Sequence, residues 1–226
     1  MNDAKPAWSE RLAPLAGVGF AVTTAVGFLM MGKNPEPDAS THAITRYWAG
    51  HHADVRSAAI VLAYGSVLFA LFGTSIWTRV RSAALHPLIR GAALVGTAVG
   101  TVGLLGSAMT YLALGDIAAR STTLPATLQA LHVLGAEISY PIAGGIELFL
   151  LAVAAAGFTA RAVPRWLAWS ALPIGLLQLT AIGFSAFVLF LLWSAVTGVA
   201  LVVRPSPPFV PMERRASSSN ALVASR

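Results

Sequence analysis

Glu147 is the residue whose type and position point most directly to chemistry. It lies within residues 138–160, a run that is otherwise apolar or small and is long enough to cross a bilayer. An ionisable group at that depth costs about 2.5–3.5 kcal/mol on insertion scales, and such groups typically mark ion, proton or substrate sites. No Lys, Arg or His occupies the apolar runs of the chain. We therefore expect Glu147 to respond to a proton or a cation.

Several polar residues are predicted to accompany Glu147. Tyr140 and Gly144 share its helical face by their spacing, and Pro141 predicts a kink ahead of it. Glu147 lies roughly 20 Å from the inner end of its run at 1.5 Å per residue, and the same distance reaches polar residues in other runs. The predicted binding residues are Glu147, Tyr140, Tyr64, Ser66, Ser107 and Gln178. Glu147 is also the candidate catalytic group, as a general acid.

Packing is the alternative interpretation of these residues. A protonated Glu147 hydrogen-bonded to Tyr64 or Gln178 would hold helices together, an interaction of about 1–2 kcal/mol or less. Small residues also repeat along one face of residues 91–115, a pattern that favours close helix contact over a substrate path. They are Gly96, Gly100, Gly103, Ser107 and Thr110.

Histidine is the other candidate ligand type. His42, His51, His52 and His132 all fall in segments predicted to lie on the outer side, with acidic residues near them in sequence. They are weak metal candidates, because neither HxxxH nor HExxH spacing occurs. The favoured interpretation is interfacial histidines and loop caps. We therefore predict no metal and no cofactor, and the chain has no cysteine to supply a thiolate.

The elements that must position these residues are membrane helices. Hydrophobic residues make up 56% of the chain and charged residues 11%, whereas a soluble domain carries about 25% charge. The sequence predicts an all-α, polytopic membrane protein with six transmembrane helices in one bundle. The predicted spans are residues 12–31, 57–78, 91–115, 138–160, 166–182 and 185–203. The last two form a hairpin that turns at Gly183 and Phe184, and a soluble enzyme is excluded.

The positive charges predict the orientation of this bundle. With the N-terminus inside, inner segments hold eleven Lys and Arg residues and outer segments hold four. Both termini, residues 1–11 and a disordered tail at 204–226, are therefore predicted to be cytoplasmic. The preference for Arg over Lys and the abundance of Ala indicate a bacterial plasma membrane. No basic stripe is interleaved with aromatics, so nucleic acid is not a predicted partner.

The two longer outer segments, residues 32–56 and 116–137, are predicted to contain helices that cover the outer mouth of the bundle. Asp38 or Ser40 would cap a helix over residues 41–52. Thr122 or Thr123 would cap the second, with Pro125 in its first turn.

The region after the first span carries the one resemblance to a known group. Asp38-Ala39-Ser40, then Ile44, then Tyr47-Trp48-Ala49-Gly50-His51 lead into the second span. This segment resembles small uncharacterised multi-pass membrane proteins of high-GC bacteria, over residues 12–78. The resemblance implies a helical bundle and no specific activity or site residue.

Three functions remain open from the sequence. The preferred one is a small-solute carrier or membrane substrate-binding component with Glu147 as its binding group. The second is an integral-membrane enzyme acting on a lipid or terpenoid-like substrate, favoured by a cavity open to lipid and lined by Tyr64, Trp193 and Tyr140. The third is a structural or accessory subunit that uses the glycine face. The predicted partners are the bilayer, a small-molecule ligand, and a protein partner or second copy.

Overall fold

The computed structural model describes residues 12–83, 85–120, 125–180 and 182–203. These residues are helical and contain no strand. A short 3₁₀ turn, Ala13–Leu15, leads into the first helix. The helices are α1 (Ala16–Met31), α2 (Thr41–Ser82), α3 (Pro87–Ala118), α4 (Pro125–Glu137), α5 (Ser139–Ala160), α6 (Arg165–Leu177) and α7 (Gly183–Val203).

Five helical segments in the described residues are long and apolar enough to cross a membrane. They are Ala13–Met31, Thr41–Arg81, Pro87–Ala118, Pro125–Ala160 and Gly183–Val203. The prediction of an all-α, polytopic membrane protein is confirmed. Residues 1–11 and the tail from residue 204, for which cytoplasmic locations were predicted, lie outside the described residues, as do Thr122 and Thr123.

The fifth predicted span differs from its expected length. Its helix, α6, has 13 residues and extends only about 20 Å, against a hydrocarbon core of about 30 Å. Helix α6 ends at Leu177 and α7 begins at Gly183, so the turn lies between these two residues instead of at Gly183 and Phe184. Pro173 lies inside α6 and cannot donate a backbone hydrogen bond, which weakens the helix near this end.

Helix bounds near both outer segments also differ from the sequence prediction. Helix α2 has 42 residues, about 63 Å at 1.5 Å per residue, and absorbs the separate outer helix expected over 41–52. The Ser40 hydroxyl accepts a hydrogen bond from the Ala43 N–H at 3.3 Å, so Ser40 is the cap. A kink was expected at Pro141, whereas the interruption between α4 and α5 lies at residue 138. Pro141 falls in the first turn of α5, where a missing N–H is tolerated.

A small cap forms where α2 and α3 extend beyond the rest of the bundle. We define the cap as residues 41–56 of α2, residues 111–118 of α3, and α4. Its buried core contains Ile44, Trp48, Val55, Leu114 and Leu128. An ion pair joins Arg56 Nε to Asp116 Oδ1 at 3.5 Å across α2 and α3. The cap thus has its own hydrophobic core next to the apolar part of the bundle.

The two ends of the bundle differ in their side chains. The histidine end carries the cap and is defined by His42, His51, His52 and His132. The arginine end, at the other side, is defined by Arg79, Arg81, Arg90, Arg161 and Arg165. Helices α1 and α3 run toward the histidine end, and α2, α5 and α7 run toward the arginine end. Helix α6 starts at the arginine end and stops within the bundle.

Six helices pack in a closed order around an aromatic centre. Each contacts the next in the order α1, α2, α3, α5, α6, α7, and α7 returns to α1. The centroid of the Phe69 ring lies 5.2 Å from that of Phe20 and 6.0 Å from that of Phe149. The buried rings are Phe20, Phe69, Phe72, Phe149, Phe190 and Trp193. These rings fill the centre of the bundle at their level.

The glycine face of α3 packs directly against the backbone of α5. A Cβ placed on Gly96 would lie 2.5 Å from the amide nitrogen of Phe149. A Cβ on Gly145 would collide with the amide nitrogen of Gly100. Because only glycine permits this approach, the packing interpretation of the glycine face is confirmed, and the face is covered within the chain.

Candidate functional site

Glu147 lies on the side of α5 that faces away from α3. Gly145 and Phe149 are the α5 residues that contact α3, and Glu147 is roughly opposite Gly145 on the helix. Its side chain is partly buried. Within the described part of the chain, Glu147 forms no ion pair and no side-chain hydrogen bond. A carboxylate at this depth therefore lacks the partner that usually accompanies one.

Helix α6 brings Gln178 to the level of Glu147. A Cβ on Gly175 would lie 3.2 Å from Leu150 Cβ and 3.6 Å from the Glu147 carbonyl oxygen. Helices α5 and α6 are antiparallel, so three residues further along α6 corresponds to three residues back along α5. Gln178 thus falls at about the level of Glu147, which is also one of the predicted binding residues.

The Gln178 amide is buried without a partner. Gln178 is 3% exposed, and neither its Oε1 nor its Nε2 has a hydrogen-bond partner among the residues that the structure describes. Leaving a buried polar atom unpaired costs about 1–3 kcal/mol. Such an amide is an available donor and acceptor for a bound molecule.

The α6–α7 break, of which residues 178–180 and 182 are described, is an interruption of helical structure at membrane depth. Gln178 is about 20 Å along α6 from the arginine end. Tight turns close part of the break, with the Thr180 N–H donating to the Leu177 carbonyl at 3.2 Å and the Gly183 N–H donating to the Thr180 carbonyl at 2.9 Å. Irregular backbone at this depth occurs in membrane proteins where it is buried in protein or lines a cavity.

Open space lies next to Glu147 on the outer surface of α5. Gly144, one turn before Glu147, has no atom within 4 Å of the position that a Cβ would take. Tyr140 lies one further turn along the same face and is 64% exposed. This face is thus accessible from the side of the bundle.

The other predicted binding residues occupy different surroundings. Tyr64 is 67% exposed on the surface of α2. Ser66 is buried, and its hydroxyl donates to the Ala63 carbonyl at 2.7 Å. Ser107 is partly buried on α3 beside Tyr111. Trp193, named as a lining residue for a cavity open to lipid, is buried in the aromatic centre.

Gly175 belongs to the candidate site but was not among the residues predicted from the sequence. Its missing side chain allows α6 to approach the α5 backbone at Glu147. The signal was present, because Pro173 and Gly175 interrupt an otherwise apolar run shortly before Gln178. Two such residues, close together, are typical of broken membrane helices at binding sites.

The four candidate histidines use their ring nitrogens separately. The Arg46 guanidinium donates to His42 Nε2 at 2.7 Å. His51 and His52 bond through Nδ1 to backbone carbonyls of their own helix. The side chain of His132 is buried against Trp48, and its Nε2 lies 3.3 Å from the Glu36 carbonyl oxygen.

The described residues contain no group of three or more His, Asp or Glu side chains that could hold a metal ion. The candidate site therefore consists of Glu147, Gln178 and the α6–α7 break. Comparisons of the chain with protein-family models, curated proteins and solved structures find no match.

Proposed function

We propose that the protein is a small-solute carrier or membrane substrate-binding component, with its ligand at the α6–α7 break. The observation that carries the proposal is the buried, unpartnered amide of Gln178 at the level of a carboxylate that also lacks a partner. A carboxylate accepts hydrogen bonds and favours positive charge, and an amide both donates and accepts. The matching ligand is a small cation or a solute with a protonated amine.

The geometry favours entry to this site from the side of the bundle. Aromatic rings fill the bundle centre at the level of Phe69 and Phe149. Glu147 instead lies next to the open surface at Gly144. Transport would require movement of α6 and α7, whose connection is the non-helical segment of the site.

The enzyme hypothesis is the second candidate, supported by the same lateral opening. An enzyme acting on a lipid-like substrate would use Glu147 as a general acid. No second carboxylate, histidine, lysine or arginine within the described residues is placed at the level of Glu147, so the binding function is preferred. The accessory-subunit hypothesis loses support because its glycine face is covered by α5.

Ligand-dependent unfolding of the purified protein tests the proposal. Sodium, potassium and methylammonium would be titrated against the protein in detergent at neutral and mildly acidic pH. A ligand at a hundred times its Kd stabilises the folded state by about 2.7 kcal/mol, which raises the unfolding temperature saturably. We expect Glu147→Gln to abolish the response and Gln178→Leu to weaken it.

Glu137→Gln is the matched control, because Glu137 is exposed at the end of α4. It should keep the full response. If Glu147→Gln folds and responds as the parent does, the carboxylate has no part in binding. Co-purification of a lipid-like molecule that Glu147→Gln does not retain would favour the enzyme hypothesis.

We also propose the orientation in which the arginine end is cytoplasmic in a bacterial plasma membrane. The support is the excess of Lys and Arg in the segments at that end. The chain has no cysteine, so single cysteines can be labelled without background. A cysteine at Glu137 should react with an impermeant reagent in intact cells and one at Arg165 should not. The reverse pattern would contradict this orientation.

A further inference from the structure

A shallow apolar groove lies at the arginine end, between the start of α6 and the end of α7. It has a volume of about 270 Å³ and is lined by Pro164, Trp166, Ala200 and Val203. Trp166 is 47% exposed, and Trp169, one turn further along α6, is 65% exposed. Tryptophan is enriched at the level of lipid headgroups, so the groove is placed where a lipid can reach it.

Two arginines lie close to this groove along the chain. Arg161 and Arg165 lie on either side of Pro164 in the α5–α6 connection, and both are exposed. Neither has a carboxylate partner within the described residues. The described acidic residues lie toward the histidine end, except Glu147 within the bundle. The groove lining is therefore apolar, and the α5–α6 connection beside it carries two exposed arginines.

We propose that this groove binds an anionic phospholipid, with an acyl chain along the apolar lining and the phosphate at Arg161 and Arg165. Guanidinium groups bind phosphate through paired, charge-assisted hydrogen bonds. Basic pockets between membrane helices are known to bind anionic headgroups. A free phosphate would match the arginines but leave the apolar groove unexplained, which is why the lipid is the chosen occupant.

The backbone conformation at Arg161 allows its charge to be removed without loss of stability. Its φ is 53°, in the left-handed region that glycine adopts more easily than residues with a Cβ. It ends α5 there, and the following Ala162 N–H donates to the Ala156 carbonyl at 3.3 Å. Arg161→Gly therefore removes the charge and relieves the backbone conformation in a single change.

Lipid selectivity of the full-length protein tests the proposal. The protein would be placed in nanodiscs of phosphatidylcholine alone or mixed with phosphatidylglycerol, with unfolding temperature and lipid retention in native mass spectrometry as readouts. We expect phosphatidylglycerol to be retained selectively and to raise the unfolding temperature. Arg161→Gln and Arg165→Gln should each lower the selectivity about fivefold, and the double variant should remove it.

Two variants distinguish lipid binding in the groove from a general effect of positive charge or of stability. Arg90→Gln removes an arginine at the same end but on α3, which contacts neither α6 nor α7 substantially, and it should keep the selectivity. Arg161→Gly should unfold at a higher temperature than the parent in phosphatidylcholine and still lose selectivity. Equal losses for Arg90→Gln and Arg161→Gln would overturn the proposal in favour of diffuse charge attraction.

Absence of any selectivity in the parent would also overturn it, including the case in which residues 204–226 fill the groove. Glu147→Gln should leave lipid selectivity intact. The lipid proposal and the proposed function can therefore fail independently.

Discussion

Two adjacent glycines on α5 should respond in opposite ways to the same substitution. Gly144→Ala and Gly145→Ala both add one methyl group within a helix. Alanine is intrinsically favoured over glycine in a helix interior by about 0.5–1 kcal/mol, and this gain applies at both positions. The difference between the two variants therefore reports only what the added Cβ meets.

The surroundings of the two positions set the size of that difference. At Gly145 the Cβ would lie 2.7 Å from Gly100 Cα and 2.9 Å from the Val99 carbonyl carbon, which are backbone atoms of α3. Relief requires α3 and α5 to separate, and overpacking of this kind costs about 1–3 kcal/mol. At Gly144 the Cβ meets nothing within 4 Å, so the helix gain remains.

Thermal unfolding of both variants and the parent in one detergent measures this difference. For a chain of this size about 2–4 °C corresponds to 1 kcal/mol, so the two variants should separate by about 2–12 °C. Gly144→Ala should unfold at or above the parent, and Gly145→Ala below it. Equal unfolding temperatures, or the reverse order, would show that α3 and α5 are not in backbone contact at this position.

Two further substitutions test the aromatic centre and the cap. Phe69→Ala removes a fully buried ring that contacts three others, and should cost up to about 3–5 kcal/mol in unfolding measurements. The exposed-ring control Phe28→Ala should cost much less, and equal losses would contradict a filled centre. Ser40→Ala removes the hydroxyl that accepts from Ala43 N–H and should cost about 1 kcal/mol, seen as faster amide exchange at residues 41–45. Unchanged exchange there would show that Ser40 does not hold the start of α2.

Hydropathy predicted most of the fold because the bilayer imposes helix on long apolar runs. The packing role of the glycine face was also predictable, since small residues at one-turn spacing in a membrane helix mainly allow another helix to pack closely. The contacts among Phe20, Phe69 and Phe190 were not predictable, because apolar residues on different runs carry no signal of which helices pair. That information lies in the packing of the whole bundle.

Helix ends were the least predictable part of the fold. The segment around Gln178 is as apolar as the spans beside it, so hydropathy does not mark the end of α6 at Leu177. Residues 53–56 are polar enough to look like a boundary, yet they contain no helix breaker, and α2 continues through them. Polarity and helix termination are separate properties. The sequence shows directly which segments are polar, but it shows less clearly where a helix ends.

The candidate site was predicted in part for a similar geometric reason. Counting residues along a span gives the depth of a residue in the membrane, and this count placed Glu147 and Gln178 at the same depth. The count does not give the direction of a side chain around the helix axis. Tyr64, at a similar depth, faces outward and is 67% exposed. Direction depends on which neighbours each helix packs against.

The unbroken course of α2 has a mechanical consequence for the whole molecule. A continuous helix transmits force along its axis, and α2 has no joint between the cap and Arg81. A push on the cap should therefore reach the arginine end by way of α2 as a rigid lever. Helices α6 and α7 are not continuous with each other. The same force should therefore change their relative position before it bends α2, and the change should occur at the α6–α7 break, where the proposed ligand binds.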